Sequence, residues 1–335
     1  MSIVIKTDNL SRTYQTYEKP EGLWNSVRGM WNRKYVQKTA LQPTTLSIES
    51  GQIVGLVGAN GAGKTTLLKL LSGLIHPSSG SAKVLGYDPW QRNANFLRKI
   101  SILLGQKNQL WWDIPAADSF DLLARIYELP TEKSKNRVQE LAELLDCRHV
   151  LNVQLRRLSL GERMKMEIIG SLLHDPEILF LDEPTIGLDV VAQTTIRKFL
   201  THYVQTKRPT VILTSHYMDD IAKLANRLLL ISHGGMVYDG TVNDFISKSE
   251  TYQKVSFGFP EPLAEAVTIN TQLSLNKGEQ VFSLQVGKVE LPKILEVILK
   301  AGEVEELKIE EVDFEDVIRK FLEKESRIFS AGNHH

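Results

Sequence analysis

The stretch Gly58-Ala59-Asn60-Gly61-Ala62-Gly63-Lys64-Thr65 constrains this chain more than any other. It satisfies the spacing G-x-x-x-x-G-K-[ST] at every fixed position. The apolar run Ile53-Val54-Gly55-Leu56-Val57 before it reads as a buried strand. Thr65-Thr66-Leu67-Leu68-Lys69-Leu70-Leu71 after it reads as a helix that Gly73 is placed to end. Glycines between strand and helix let backbone N–H groups close around phosphate oxygens, and the helix N-terminus adds partial positive charge. Lys64 is expected to reach the β- and γ-phosphates of a nucleotide, and the Thr65 hydroxyl to ligate Mg2+. A chance glycine-rich turn would not come with both flanks.

At 335 residues the chain exceeds one comfortable core, so a large domain and a smaller one are expected. Its 40 basic and 40 acidic residues cancel, so no polyelectrolyte partner is implied and no nucleic acid is expected. The single cysteine, Cys147, excludes an internal disulfide framework and fits a reducing compartment; it reads as a partly buried thiol on a helix. Met1–Lys6 lacks the features of a signal peptide, and no uncharged apolar run approaches the roughly 18 residues that span a bilayer. Any membrane role is therefore expected through a partner or through surface attachment. Residues 329–335, ending in His334-His335, read as an appended tail and carry no site.

In chain order, residues 3–15 read as a strand. Residues 18–38 place Leu23, Val27, Trp31 and Tyr35 at helical spacing, with Trp24 and Trp31 on the same stretch. Across residues 19–38, Lys19, Arg28, Arg33, Lys34 and Lys38 face Glu21 alone. That is the pattern of a basic amphipathic helix suited to an anionic membrane surface, or of a helix covering its own domain. Strands resume over 40–57. Ile75–Gly80 reads as loop, 84–89 as a strand end and turn, and Ile100–Leu104 as a strand ending at Gly105-Gln106. Segments 116–128, 132–146 and 161–173 have helical spacing. Strands near 178–183, 209–214 and 228–232 then alternate with helices near 191–205 and 217–226, and a hairpin turns at 233–236. Such alternation implies a largely parallel sheet covered on both faces. Beyond about 245, short strands near 252–258, 266–275 and 280–286 and helices near 290–301 and 313–324 suggest a small α+β domain.

The apolar run Ile178–Leu181 delivers Asp182 to the C-terminal edge of a strand, where it can hold Mg2+ through water. Glu183 follows and can deprotonate a water aimed at the γ-phosphate. Gln106 and His216 end two further strands, and strand C-termini form the ligand crevice of an open α/β sheet.

With these elements in place, residues 3–240 resemble the ATP-binding cassette (ABC) ATPases, the nucleotide-binding subunits of ABC transporters. Gly58–Thr65 resembles their Walker A loop and Ile178–Glu183 their Walker B strand; Gln106 matches the Q-loop, Gly187-Leu188-Asp189 the D-loop and Thr214-Ser215-His216 the switch. Leu158-Ser159-Leu160-Gly161-Glu162 is similar to the signature Leu-Ser-Gly-Gly-Gln, with Leu160 in place of a glycine and Glu162 in place of the glutamine. Tyr14 matches the adenine-stacking aromatic.

The resemblance implies an α/β P-loop NTPase fold: a mostly parallel sheet, an antiparallel β part and a helical subdomain inserted at about 107–173, in a cassette over 1–240. The α+β domain over 241–328 follows it. It implies nucleotide contacts from Tyr14, Gly58, Asn60, Gly61, Ala62, Gly63, Lys64, Thr65, Thr66, Ser159, Gly161, Glu162 and Asp189. Mg2+ contacts would come from Thr65, Gln106 and Asp182, and catalysis from Glu183, His216 and Gln106. ATP and Mg2+ are the implied cofactors. The implied partners are a second cassette, the same or different, and membrane permease subunits gripped near Trp111-Trp112 at the cytoplasmic face. The C-terminal part is similar to that of type-2 ABC exporters of drugs, lipids or glycans. The competing readings are a soluble ABC ATPase acting on ribosomes or nucleic acid, which usually carries two cassettes or a long coiled-coil insertion, and a P-loop kinase, which needs no Ser159 segment.

Overall fold

The structure, a computed structural model, describes residues 2–17, 35–105, 108–215, 217–248, 252–261, 267–268, 274–275, 278–287, 290–311 and 314–332. The chain divides into two compact units, Met1–Gly240 with Glu325–His335, and Thr241–Lys324.

In the first unit, β1 (Ile3–Tyr17) pairs antiparallel with β2 (Tyr35–Thr44) and with β3 (Ser47–Glu49). The chain then crosses to a second sheet as β4 (Ile53–Val57) and enters helix α1 (Lys64–Leu71). It returns as β5 (Ser79–Val84), which pairs with β1, and passes through the short α2 (Ala94–Leu97) to β6 (Ile100–Leu104). A helical block follows: α3 (Ala116–Ile126), α4 (Thr131–Leu144) and α5 (Leu160–Leu172). The second sheet is completed by β7 (Ile178–Asp182), α6 (Val190–Lys207), β8 (Thr210–Thr214), α7 (Met218–Leu224), β9 (Arg227–Ser232) and β10 (Gly235–Thr241). Its order is β10-β9-β4-β8-β7-β6, and the pairs β9/β4, β4/β8, β8/β7 and β7/β6 are parallel.

Strands β7 and β8 are buried along their whole length, which is why they are runs of Ile, Leu, Val and Phe without alternation. Leu67, Leu68, Leu70 and Leu71 of α1 join one buried cluster with Ile5, Leu41 and Ile48 of the antiparallel sheet and Leu56, Phe180 and Ile212 of the parallel sheet. That cluster fixes the loop before α1 against both sheets. Because β4 lies between β8 and β9, the chain leaves the loop at a switch point of the strand order, where such sheets open a ligand crevice.

The second unit runs α8 (Val242–Lys248), β11 (Tyr252–Gly258), β12 (Val267–Thr268), β13 (Ser274–Leu275), β14 (Val281–Gly287), α9 (Leu291–Ala301), β15 (Glu306–Glu311) and, as far as Lys324, α10 (Phe314–Gly332). An antiparallel sheet β14-β11-β15 packs Val255, Phe257, Phe282 and Leu284 against Ile294 and Ile298 of α9. Phe245 meets Phe314 and Phe321 edge-on.

Three expectations are corrected. Tyr35–Lys38, read as the end of a basic helix, is strand: Tyr35, Val36, Gln37 and Lys38 pair with Tyr17, Thr16, Gln15 and Tyr14, so ladder bonds outweigh the apolar spacing. The rest of that segment, residues 18–34, lies outside the described residues. The loop read over 75–80 already contains the start of β5, and β15 and α8 are additional elements. Cys147 is wholly buried and sits beyond α4 at the start of a 3-10 turn, its thiol directed at the Ala142 carbonyl. Burial pushes that thiol up to about 12. Among the described residues no helix is long and apolar enough to cross a membrane.

Candidate nucleotide site

Gly63 caps α1 in the left-handed region, φ +115°, and a Cβ there would lie 2.5 Å from the Ala40 carbonyl oxygen of β2. Only glycine lets the loop turn into the helix this close to the antiparallel sheet. Lys64 follows, 6% exposed, and its Nζ donates to the carbonyls of Gly58 at 2.7 Å and Ala59 at 3.2 Å. Burial lowers its pKa, while Glu183 and Asp182 pull it back up. The ammonium is thus held inside the loop, facing two carboxylates.

Asp182, at the end of β7, is the centre of the site. Its Oδ2 accepts from the Thr65 hydroxyl at 2.8 Å and its Oδ1 from the Thr214 hydroxyl at 2.8 Å. One carboxylate therefore joins the first turn of α1 to the end of β8. Glu183 adopts φ +55°, a left-handed conformation rare for a non-glycine residue. Its N–H is held by the Thr214 carbonyl at 3.1 Å and hydroxyl at 3.0 Å. Strain of this kind persists where surrounding structure over-determines it. On the other side, Gly105 donates its N–H to the Asp182 carbonyl at 2.8 Å.

Mg2+ fits this donor set. The Thr65 hydroxyl and the Asp182 carboxylate are adjacent hard oxygens, and among the described residues no group of three or more His, Cys, Asp or Glu forms a closed cage. Such a site suits a cation that keeps waters and takes its remaining ligands from phosphates.

The end of β8 and Ser215 after it are anchored by a residue that the sequence reading did not single out. Asp220 of α7, 3% exposed, accepts from the Ser215 hydroxyl at 3.1 Å and the Thr185 hydroxyl at 3.0 Å, and pairs with Arg197 of α6. It fixes the turn immediately before His216. His216 itself and Gln106 lie outside the described residues. Thr214 was read as part of the switch but not as a site residue; a hydroxyl one strand from an acid gives no sequence signal of contact.

Tyr14 lies opposite Lys38 in the β1/β2 ladder, two residues along β2 from the Ala40 carbonyl that packs on Gly63. The Arg12 guanidinium covers one face of its ring at 4.5 Å and donates to the His76 carbonyl at 2.9 Å. A second group of candidate residues gathers at the start of α5. Ser159 caps it: its N–H and hydroxyl donate to Glu162 Oε2 at 2.9 and 2.8 Å, and its Oγ accepts the Glu162 N–H at 3.3 Å. These bonds hold the Glu162 carboxyl below its usual range, the Ser159 backbone N–H contributing most. A Cβ on Gly161 would come within 2.8 Å of the Ala192 side chain on α6, whose cap is Asp189, accepting from the Ala192 N–H at 2.9 Å. The structure therefore joins Lys64, Thr65, Asp182 and Glu183 in one cluster, and Ser159, Gly161, Glu162 and Asp189 in another.

A hydroxyl and a carboxylate set beside a phosphate-binding loop, at the C-terminal edge of a parallel sheet, make a nucleoside-triphosphate site of the P-loop class. The ABC transporter family profile matches residues 41–186. The chain is 30% identical over 246 residues to the ABC transporter ATP-binding protein NatA of Bacillus subtilis, covering 73% of this chain and 99% of that one. It is 33% identical to the daunorubicin resistance ATP-binding protein DrrA3 of Streptomyces coeruleorubidus, covering 65% of this chain and 68% of that one. A solved dimeric ATP-binding cassette in a post-hydrolysis state with ADP and phosphate superposes with a TM-score of 0.59 at 22% identity, over 71% of this chain and 98% of that one; it shares the fold. The chain belongs to the ABC transporter family, as an ATP-binding subunit, and is an ATPase.

Proposed function

We propose that two cassettes, this chain with itself or with a different one, pair head to tail around two ATP molecules and power an exporter of drugs, lipids or glycans at the cytoplasmic face of the membrane. The observation that carries this reading is the Asp182 carboxylate shared by the Thr65 and Thr214 hydroxyls beside Lys64. The loop N–H groups from Gly58 to Thr66 cradle the phosphates, and Lys64 leaves its two carbonyls for the β- and γ-phosphate oxygens. Thr65, Asp182 and Gln106 would hold Mg2+, which when bound would neutralise phosphate charge. Glu183 takes the proton from the attacking water, and His216, next in sequence after the Ser215 that Asp220 holds, serves the γ-phosphate. Tyr14 stacks on adenine. Ser159, Gly161 and Glu162 meet the partner's nucleotide, with Asp189 beside them.

Loss of the γ-phosphate removes the contacts that close the pair, so hydrolysis reopens it. Trp111 and Trp112, 40% and 41% exposed, offer an aromatic anchor for a permease helix. The basic segment 19–38 contributes anionic-membrane attachment. Purification of the tagged chain from its native membranes tests the reading. A six-helix permease should copurify, and vesicles holding the pair should accumulate cargo with ATP in the outward sense. Recovery on ribosomes or DNA, or ATP-driven movement inward, would replace it.

A further inference from the structure

Three positions on one face of α5 meet a single short segment, with Leu123 of α3 beside it at Gly170. Arg163, Glu167 and Gly170 recur at helical spacing and all touch Gln109–Trp112. Glu167, 4% exposed, accepts the Gln109 N–H on both oxygens at 3.0 and 3.1 Å and the Leu110 N–H at 3.3 Å. A Cβ on Gly170 would meet Leu110 at 3.0 Å, so the side chain of Leu110 lies flat on the helix there. The Arg163 guanidinium stacks over Trp112 at 4.4 Å. Gln109 also reaches the core, its side-chain amide donating to the Ile102 carbonyl of β6. The same strand ends at Gly105, bonded to the Asp182 carbonyl. Ser159 stands eight residues before Glu167, about 12 Å along a rigid helix.

Burial raises the Glu167 carboxyl above its usual range, against the pull of the two N–H donors. A buried carboxylate is costly, and this one is bonded to backbone N–H groups of a loop. We infer that Glu167 is a positioning residue that ties the β6 end beside Asp182 to the helix bearing Ser159, so that nucleotide at the phosphate loop moves the Ser159 turn. This rests on the reading above, in which Ser159 serves the partner's ATP.

The test uses the full chain carrying Glu183→Gln, which should hold ATP without turnover, and compares it with the same chain carrying Glu167→Ala or Ile169→Ala. Ile169 is buried on α5 away from the segment and controls for lost stability. Glu167→Ala should raise the ATP concentration for half-maximal dimerisation about fivefold or more, while ATP affinity at low protein concentration stays within about twofold. Ile169→Ala should lower the thermal midpoint and leave dimerisation unchanged. Equal dimerisation by the parent and Glu167→Ala chains overturns the inference, as does an equal loss in the Ile169→Ala control. A parent that fails to dimerise refutes the proposed function instead. Hydrogen exchange at residues 160–166 then still decides: ATP should alter exchange there in the parent and not in Glu167→Ala. A parent that ignores ATP at these amides, or a variant that responds as the parent does, overturns the link.

Discussion

Gly105→Ala adds one carbon atom where the strands β6 and β7 meet. Its Cβ would stand 2.3 Å from the Glu183 carbonyl oxygen and 2.9 Å from that of Asp182. Both obstacles are backbone, so no side-chain rotation relieves the clash. A carbon–oxygen contact relaxes at about 3.3 Å, so the two strand ends must part by about 1 Å. Overpacking of this kind costs about 1–3 kcal/mol of stability. Its functional effect should be larger, because a 1 Å misplacement of a reacting group can cost about 100-fold in rate. Asp182 meets the phosphate loop through Thr65 alone, while Lys64 is held by the loop's own carbonyls, so ATP binding should fall less than turnover. Steady-state ATPase rates with equilibrium nucleotide binding separate the two effects. Parental turnover, or an ATP affinity that falls as far as the rate, would show that Gly105 does not set the Asp182–Glu183 geometry.

Other expectations follow from single contacts. Glu162 has a depressed folded-state pKa, so its contribution to stability is present above the ordinary carboxylate range and is lost as pH falls through that range to its lower folded value. Glu162→Gln should therefore lose less thermal midpoint than the parent between neutral and acidic pH; equal slopes would count against the Ser159 bonds. Cys147, with its thiol pushed up to about 12 and no exposure, should resist alkylation in the native chain and react only with denaturant; rapid native labelling would contradict its burial. Asp220→Ala strands Arg197 and frees Ser215, so it should cost about 3 kcal/mol and lower turnover more than ATP affinity. A variant as stable and active as the parent would show that the Asp220 bonds to Ser215 and Arg197 do not matter for turnover.

How much of this was legible in the sequence depended on whether the signal was local. Gly58–Thr65 and Ile178–Glu183 carry their meaning in consecutive residues, and the structure puts both at the same sheet edge. The three helices between β6 and β7 were legible by apolar spacing. What could not be read arises between distant segments. Thr214 is one more β-branched strand residue until β8 lies beside β7 and its hydroxyl meets Asp182. Gly105 looks like a strand terminator until the Glu183 carbonyl stands 2.3 Å from its missing side chain. β5 buries only Ala82 and Val84 in a polar run, too weak a pattern without its partner β1. Tyr35–Lys38 misled for the converse reason: aromatic spacing suggested a helix, while the ladder to Tyr14–Tyr17 made it strand.

The most direct measurement is the molecular mass of the Glu183→Gln chain by light scattering, with and without Mg2+ and ATP. The expected result is a monomer that becomes a dimer with ATP and returns to monomer when Lys64→Ala or Ser159→Arg is added. A chain that stays monomeric at saturating ATP, or a dimer that survives both substitutions, would contradict a nucleotide held between the Lys64 loop of one cassette and the Ser159 turn of another.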